Sequence, residues 1–325
     1  MVPIKTADES VANQSPRLFG RFLGRFLGRC LAWLVVFLVP LLVGQCHAQG
    51  RIDCAALPSH TLGQTVHYCV MLPPDYDTAT VGHSPRRYPV LYFLHGLGDN
   101  EQTLFKGGGW DLIEDLRQKG QISDFLIVVP EGKRSFYINS ADGRTRYSDF
   151  FVREFIPYIE SHYSIRHERS ARAVSGMSMG GYGALRFAFA NPELFSSVSA
   201  QSAALIVEPL PQNTSVPMPA QLSGLLGRVF GDPIDLHHWN ENSPFVLAKR
   251  NGTPIRTSGL SIYFNCGRDD EFGFDKGAEK LHRQLQAEGI QHEYHLYPGN
   301  HGAEYFLAHL GEVMKFHSRV FAAVK

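Results

Sequence analysis

Residues 171–185 read Ala-Arg-Ala-Val-Ser-Gly-Met-Ser-Met-Gly-Gly-Tyr-Gly-Ala-Leu, with the central serine at 178. The change of pattern inside this run decides the fold. Ala171–Val174 is a short apolar strand signal, and from Gly180 to Ala190 apolar residues recur at helical spacing. A strand passing directly into a helix through Gly176-Met-Ser178-Met-Gly180 has the layout of a nucleophile elbow. Glycines on both sides remove side chains that would clash in the sharp turn, and the turn lifts the serine hydroxyl clear of the sheet. The helix start also offers the free N–H of Met179 and a partial positive charge where an oxyanion would form.

Outward from the elbow, Val90–Leu94, Phe125–Val129, Phe195–Val198 and Leu260–Phe264 are short apolar runs bounded by Gly, Pro, Asp or Asn, as buried central strands are. Trp110–Lys119, Ser148–His162, Lys276–Glu288 and Ala303–Phe321 carry apolar residues three and four apart, which predicts helices. The alternation predicts an α/β protein with a mostly parallel central sheet and helices on both faces. Arg51–Cys54 and Thr65–Leu72 predict an antiparallel pair at one edge. Residues 203–259 break the rhythm with Pro209, Pro211, Pro217, Pro219, Pro233, Pro244 and Pro254, and read as an insertion that caps the substrate site.

A serine hydroxyl is a poor nucleophile at neutral pH, so the elbow requires a base and a carboxylate that orients it, in the chain order Ser, Asp, His. The strand 260–264 runs into Asn265-Cys-Gly-Arg-Asp269-Asp270-Glu271, and a strand at 293–296 runs into Tyr297-Pro-Gly-Asn300-His301. Both loops fall at strand C-terminal ends, where open α/β sheets build their sites. His301 is therefore the expected base and Asp270 the expected acid, with Asp269 the rival one residue away. Of the 15 histidines, His237, His238, His282, His292 and His295 fall in the insertion, on a helix or along a strand. His95 does follow a strand end, but its Gly-rich loop suits a second oxyanion donor better than a base, with the Leu97 amide first and Gly98 next. Tyr137, Phe230, Trp239 and Phe272 are candidate pocket aromatics, each of which core packing would equally explain. No H-E-x-x-H or Cys-x-x-Cys occurs, and Gly107-Gly-Gly109 lacks the following Lys of a phosphate loop, so neither metal nor organic cofactor is expected.

The chain has 325 residues, and its Lys plus Arg equal its Asp plus Glu at 31 each, which excludes the electrostatic footprint of a nucleic-acid partner. Charge is uneven at the start, where Arg17, Arg21, Arg25 and Arg29 precede an uncharged run from Leu31 to Val43. That layout predicts a secretory signal over 1–48 with cleavage after Ala48, or a membrane anchor if it is retained, and hence a secreted or periplasmic protein. The membrane is expected as a partner only through this segment. Cys54 and Cys69 flank a turn near Ser59–Gly63 and could pair across a hairpin in an oxidising compartment, whereas Cys266 reads as a small buried residue.

At Leu94-His-Gly-Leu-Gly98-Asp99, Ser175-Gly-Met-Ser178-Met-Gly-Gly-Tyr182-Gly-Ala-Leu185, Cys266-Gly-Arg-Asp-Asp270 and Gly299-Asn-His301, residues 51–323 resemble the "Putative esterase", or esterase D-like, family of α/β-hydrolases. That family includes feruloyl and acetyl-xylan esterases, S-formylglutathione hydrolase, enterochelin esterase and the antigen 85 mycolyltransferases. The resemblance implies the α/β-hydrolase fold, Asp270 as the acid three residues after the glycine of its loop, and an oxyanion hole from the backbone N–H groups of Leu97 and Met179. Where the family often has Gly-Gly-His, this chain has Gly299-Asn300-His301. The implied activity is serine carboxylic-ester hydrolysis through an acyl-enzyme, with neutral imidazole as the active form of the base. Transfer of the acyl group to a sugar hydroxyl is the rival chemistry, which product analysis would separate. A catalytically silent binding protein on the same fold is the rival class, which a fluorophosphonate probe would leave unlabelled.

Overall fold

The computed structural model describes residues 49–81, 85–207 and 220–323. The signal segment expected over 1–48, and Pro209, Pro211, Pro217 and Pro219 of the insertion, lie outside the described residues.

Eight strands form one sheet: β1 Arg51–Ser59, β2 Gln64–Leu72, β3 Val90–Leu94, β4 Leu126–Pro130, β5 Arg172–Met177, β6 Ser197–Gln201, β7 Ser261–Gly267 and β8 Glu293–Tyr297. Their order is β1-β2-β4-β3-β5-β6-β7-β8, with β1 and β2 antiparallel to their neighbours and all other pairs parallel. This is the α/β-hydrolase fold. Period-two alternation divides the core between the two faces of the sheet. On β3, Leu91 and Phe93 pack with the C-terminal helix, while Val90, Tyr92 and Leu94 pack with the helix that follows the elbow.

The helices used below are α1 Trp110–Gln118, α2 Ile156–His162, α3 Met179–Ala190, α4 Ala220–Phe230, α5 Leu236–Asn242, α6 Pro244–Arg250, α7 Gly252–Ser258, α8 Phe274–Ala287 and α9 Ala303–Ala323. Helix α3 is buried along almost its whole length, because Gly180 lets it lie close against the sheet, Gly181 against Ala203 and Gly183 against the Tyr137 ring. A Cβ on Gly180 would stand 1.9 Å from the carbonyl oxygen of Leu94, so no other residue fits there without moving strand or helix.

Within the insertion, residues 220–258 form four helices, α4 to α7. Pro244 opens α6, where its missing N–H has no intrahelical partner to lose, so proline punctuates this segment instead of unfolding it. These helices pack beside α3, with the Tyr182 hydroxyl donating to the carbonyl of Asn242 at 2.8 Å and Phe230 edge-on to Phe136 and Tyr182. At the far edge, Cys54 and Cys69 face each other in the β1–β2 register and form a disulfide; Cys266 is free and buried.

The register fixes where the loops emerge. Leu94 pairs with Gly176, Met177 with Gln201, Gln201 with Asn265, and Gly267 with Tyr297. The loops at 95–99, 178, 268–271 and 298–302 therefore leave the sheet along one edge, the carboxyl edge at which such sheets carry their sites.

Candidate active site

Ser178 is the single residue between β5 and α3, and its backbone sits at φ 53°, ψ −118°. A non-glycine residue at positive φ is costly and persists only where its surroundings enforce it. Here the Ser178 N–H donates to the Gln201 carbonyl at 2.9 Å, and the Ser178 carbonyl accepts from Tyr182 and Ala204. The flanking glycines leave no alternative, since a Cβ on Gly176 would approach the Gly180 carbonyl carbon to 2.3 Å.

The Ser178 Oγ lies 2.8 Å from Nε2 of His301, whose Nδ1 lies 2.7 Å from Oδ2 of Asp270. A carboxylate only accepts, so the imidazole proton sits on Nδ1 and leaves Nε2 free to accept the serine proton. Asp270 is almost fully buried. Burial alone would raise its carboxyl, but the hydrogen bond and charge of His301, with the N–H groups of Phe272 and Phe274, outweigh it and hold the group below the usual carboxylate range. Asp269 is exposed; its backbone N–H donates to the Gly299 carbonyl at 2.9 Å. The carboxylate meeting His301 is thus that of Asp270.

Two partners here were not among the expected site residues. Glu271 accepts the backbone N–H of His301 at 2.9 Å, tying the two loops together. The Cys266 thiol, pushed up to about 12 chiefly by burial and so protonated, donates to Asp270 Oδ2 at 3.6 Å. Glu271 adjoins the acid and could have been suspected; a thiol four residues before it gives no such signal. Asn300 replaces a glycine without strain: it is not at positive φ, and its side chain accepts the Gly302 N–H at 3.0 Å.

Leu97 lies in the loop after β3 that lines the Ser178 cleft, and Met179 is the first residue of α3, whose N–H has no partner within the helix. The loop packs closely on the elbow, for a Cβ on Gly96 would stand 3.7 Å from that of Ser178. His95 faces away. Its Nε2 accepts the Gly132 N–H at 2.7 Å, so its proton is on Nδ1 and is donated to the Gly96 carbonyl at 2.8 Å; burial keeps the ring's pKa low and the ring neutral.

Of the candidate pocket aromatics, Tyr137, Phe230 and Trp239 are core residues. Phe272 is different: it is 60% exposed and stands edge-on to His301 at 5.0 Å. Phe274 and Phe306 also meet that imidazole edge-on, at 5.3 and 5.2 Å. The cleft beside Ser178 is walled by the 96–109 loops and α9; none of the described residues of the insertion lines it, and Ala204 meets Ser178 only at its carbonyl.

A family model described as "Putative esterase" matches residues 59–317. An esterase of Mycobacterium tuberculosis strain CDC 1551 / Oshkosh is 30% identical over 255 residues, covering 71% of this chain and 51% of the relative. The chain thus spans about half the length of that relative. The acetyl esterase of Caldicellulosiruptor saccharolyticus is 29% identical over 232 residues, covering 71% of this chain and 84% of that one. Among solved structures, a ferulic acid esterase superposes with a TM-score of 0.70 at 24% identity, covering 85% of this chain and all of the other, a likeness of fold.

Proposed function

Because the chain belongs to the esterase family that this model describes, we propose that it is a serine carboxylic-ester hydrolase, with Ser178 as nucleophile, His301 as general base and acid, and Asp270 orienting the imidazole. The observation that carries the reading is the unbroken hydrogen-bonded run from Ser178 Oγ through His301 to Asp270, at 2.8 and 2.7 Å, at the carboxyl edge of the sheet.

In the reaction, Ser178 Oγ bonds to the ester carbonyl carbon as its proton passes to His301 Nε2. The carbonyl oxygen becomes an oxyanion, which the N–H groups of Leu97 and Met179 stabilise by roughly 3–4 kcal/mol each. Collapse breaks the bond to the alcohol oxygen, which takes the proton from Nε2 and leaves. Water then loses a proton to Nε2, attacks the acyl-enzyme, and releases the acid as the proton returns to Ser178. Asp270 holds the Nδ1–H tautomer and balances the imidazolium in both halves. The substrate is expected outside the cytoplasm, given the exported layout of residues 1–48 and the Cys54–Cys69 disulfide.

The test is labelling by a fluorophosphonate probe together with turnover of p-nitrophenyl acetate. Wild type should label at Ser178, and Ser178→Ala should lose both labelling and about 10⁶-fold of kcat. Retained turnover in that variant would sink the reading.

A further inference from the structure

Beside Ser178 lies a cavity of about 280 Å³ whose walls are mostly apolar. One wall is a single face of α9: Ala303, Phe306, Leu307 and Leu310 recur at the three- and four-residue spacing that aligns side chains along a helix. Ala303 is two residues from His301, and Leu310 is seven residues further on, about 10 Å along the axis at 1.5 Å per residue. The cavity therefore runs away from the reacting atoms along the helix. Phe93, Leu104 and Met177 also line it. Opposite α9, the backbone of Gly107–Gly109 comes close enough that a Cβ on Gly108 would stand 3.3 Å from Leu307. This triple glycine serves here as a thin wall.

Deepening the ester-hydrolase reading and resting on it, we infer that this cavity is the acyl subsite and accepts an uncharged, unbranched chain of about six to eight carbons, because at about 30 Å³ per packed heavy atom it holds about nine. The acyl group stays attached to Ser178 through two steps while the alcohol departs and water enters. A recess suits the group that stays. The solvent side of His301, where Phe272 is exposed, is left for the alcohol. Among the described residues no Lys or Arg lines the cavity, and Asp99 places a carboxylate in its wall, so an acyl chain ending in a carboxylate meets like charge without a described counter-ion.

The experiment is kcat/KM for p-nitrophenyl esters from acetate to palmitate with the full chain. Values should climb about threefold to fourfold per methylene to an optimum at C6–C8, then fall. Leu307→Ala should move the optimum about two to three carbons longer, and Leu307→Trp should cut octanoate about 30-fold more than it cuts acetate. Gly107→Leu is a second narrowing variant: its backbone is at φ −86°, and an added Cβ meets nothing within 4 Å, so the fold tolerates it. The half-ester of suberic acid should react at least about tenfold more slowly than octanoate and recover in Asp99→Asn. Alkyl acetates of rising alcohol length should show no optimum that Leu307 controls. A profile that peaks at acetate, or one that neither Leu307 nor Gly107 variants move, overturns the assignment. Fluorophosphonate labelling of Ser178 with turnover of acetate would in that case leave the hydrolase reading standing, whereas loss of both would remove it too.

Discussion

At the scale of single residues, two adjacent aspartates have opposite surroundings. Asp270 is enclosed and receives His301 Nδ1, the Cys266 thiol and two backbone N–H groups; Asp269 points to solvent. Asp270→Asn should lower kcat about 10⁴-fold by favouring the wrong imidazole tautomer, while Asp269→Asn should stay within about threefold. Steady-state kinetics on the two variants decide it; equal losses would remove Asp270 from its proposed role. The resemblance offered the motif glycine as the ruler for counting to a carboxylate, and that count reaches Asp270, the carboxylate that meets His301 Nδ1. It offered nothing for the Cys266 contact, because a buried thiol leaves the same trace whether it only packs or also donates a hydrogen bond.

At the scale of elements, the elbow is a problem of backbone contact. Gly180→Ala puts a methyl group 1.9 Å from a strand carbonyl that cannot rotate away, so it should cost about 3 kcal/mol or more, read from urea unfolding. A loss below 1 kcal/mol would mean that β3 and α3 can separate cheaply. The turn itself was legible for a different reason: Gly176 is demanded locally, by Gly180 four residues on, and that part of the pattern survives in the chain. Strand cores were legible for a related reason, since runs such as Val90–Leu94 are buried on both faces. Strand ends were not, because β5 and β7 run three residues past their apolar runs through Ser175-Gly-Met177 and Asn265-Cys-Gly267, where pairing with neighbours overrides side-chain preference. The helices of the insertion were not legible: Pro244 stands at a helix start, and what stabilises α4 to α6 is packing on α3, which no local pattern announces.

At the scale of the whole molecule, the last helix is joined to the centre of the sheet through a buried histidine. His317 on α9 lies between the hydroxyls of Ser197 and Ser199, each 2.8 Å from a ring nitrogen, and Ser199 continues to Ser175 on β5 at 2.7 Å. Its ring contacts Phe316 and Phe321, and its hydrogen-bond partners are hydroxyls, none of them a carboxylate that could balance a proton. Burial pushes its pKa down to about 3. In the unfolded chain the same imidazole titrates near 6.5, so between about pH 6.5 and 3 the unfolded state binds a proton that the native state refuses. The contribution of neutral His317 is complete above about pH 6.5 and falls by about 1.4 kcal/mol per pH unit as acid is added. Asp270, whose folded pKa is depressed, loses its own contribution at lower pH still, as its carboxylate is protonated. His317→Gln removes the first effect and leaves the second. Urea unfolding from pH 8 to pH 4 should therefore show the variant less stable than wild type at pH 8 by about 1–3 kcal/mol, with the gap closing as pH falls through 6. Parallel stability curves for the two proteins would mean that His317 accepts a proton in the folded state as readily as in the unfolded chain, and that the polar core between β5, β6 and α9 is open to water.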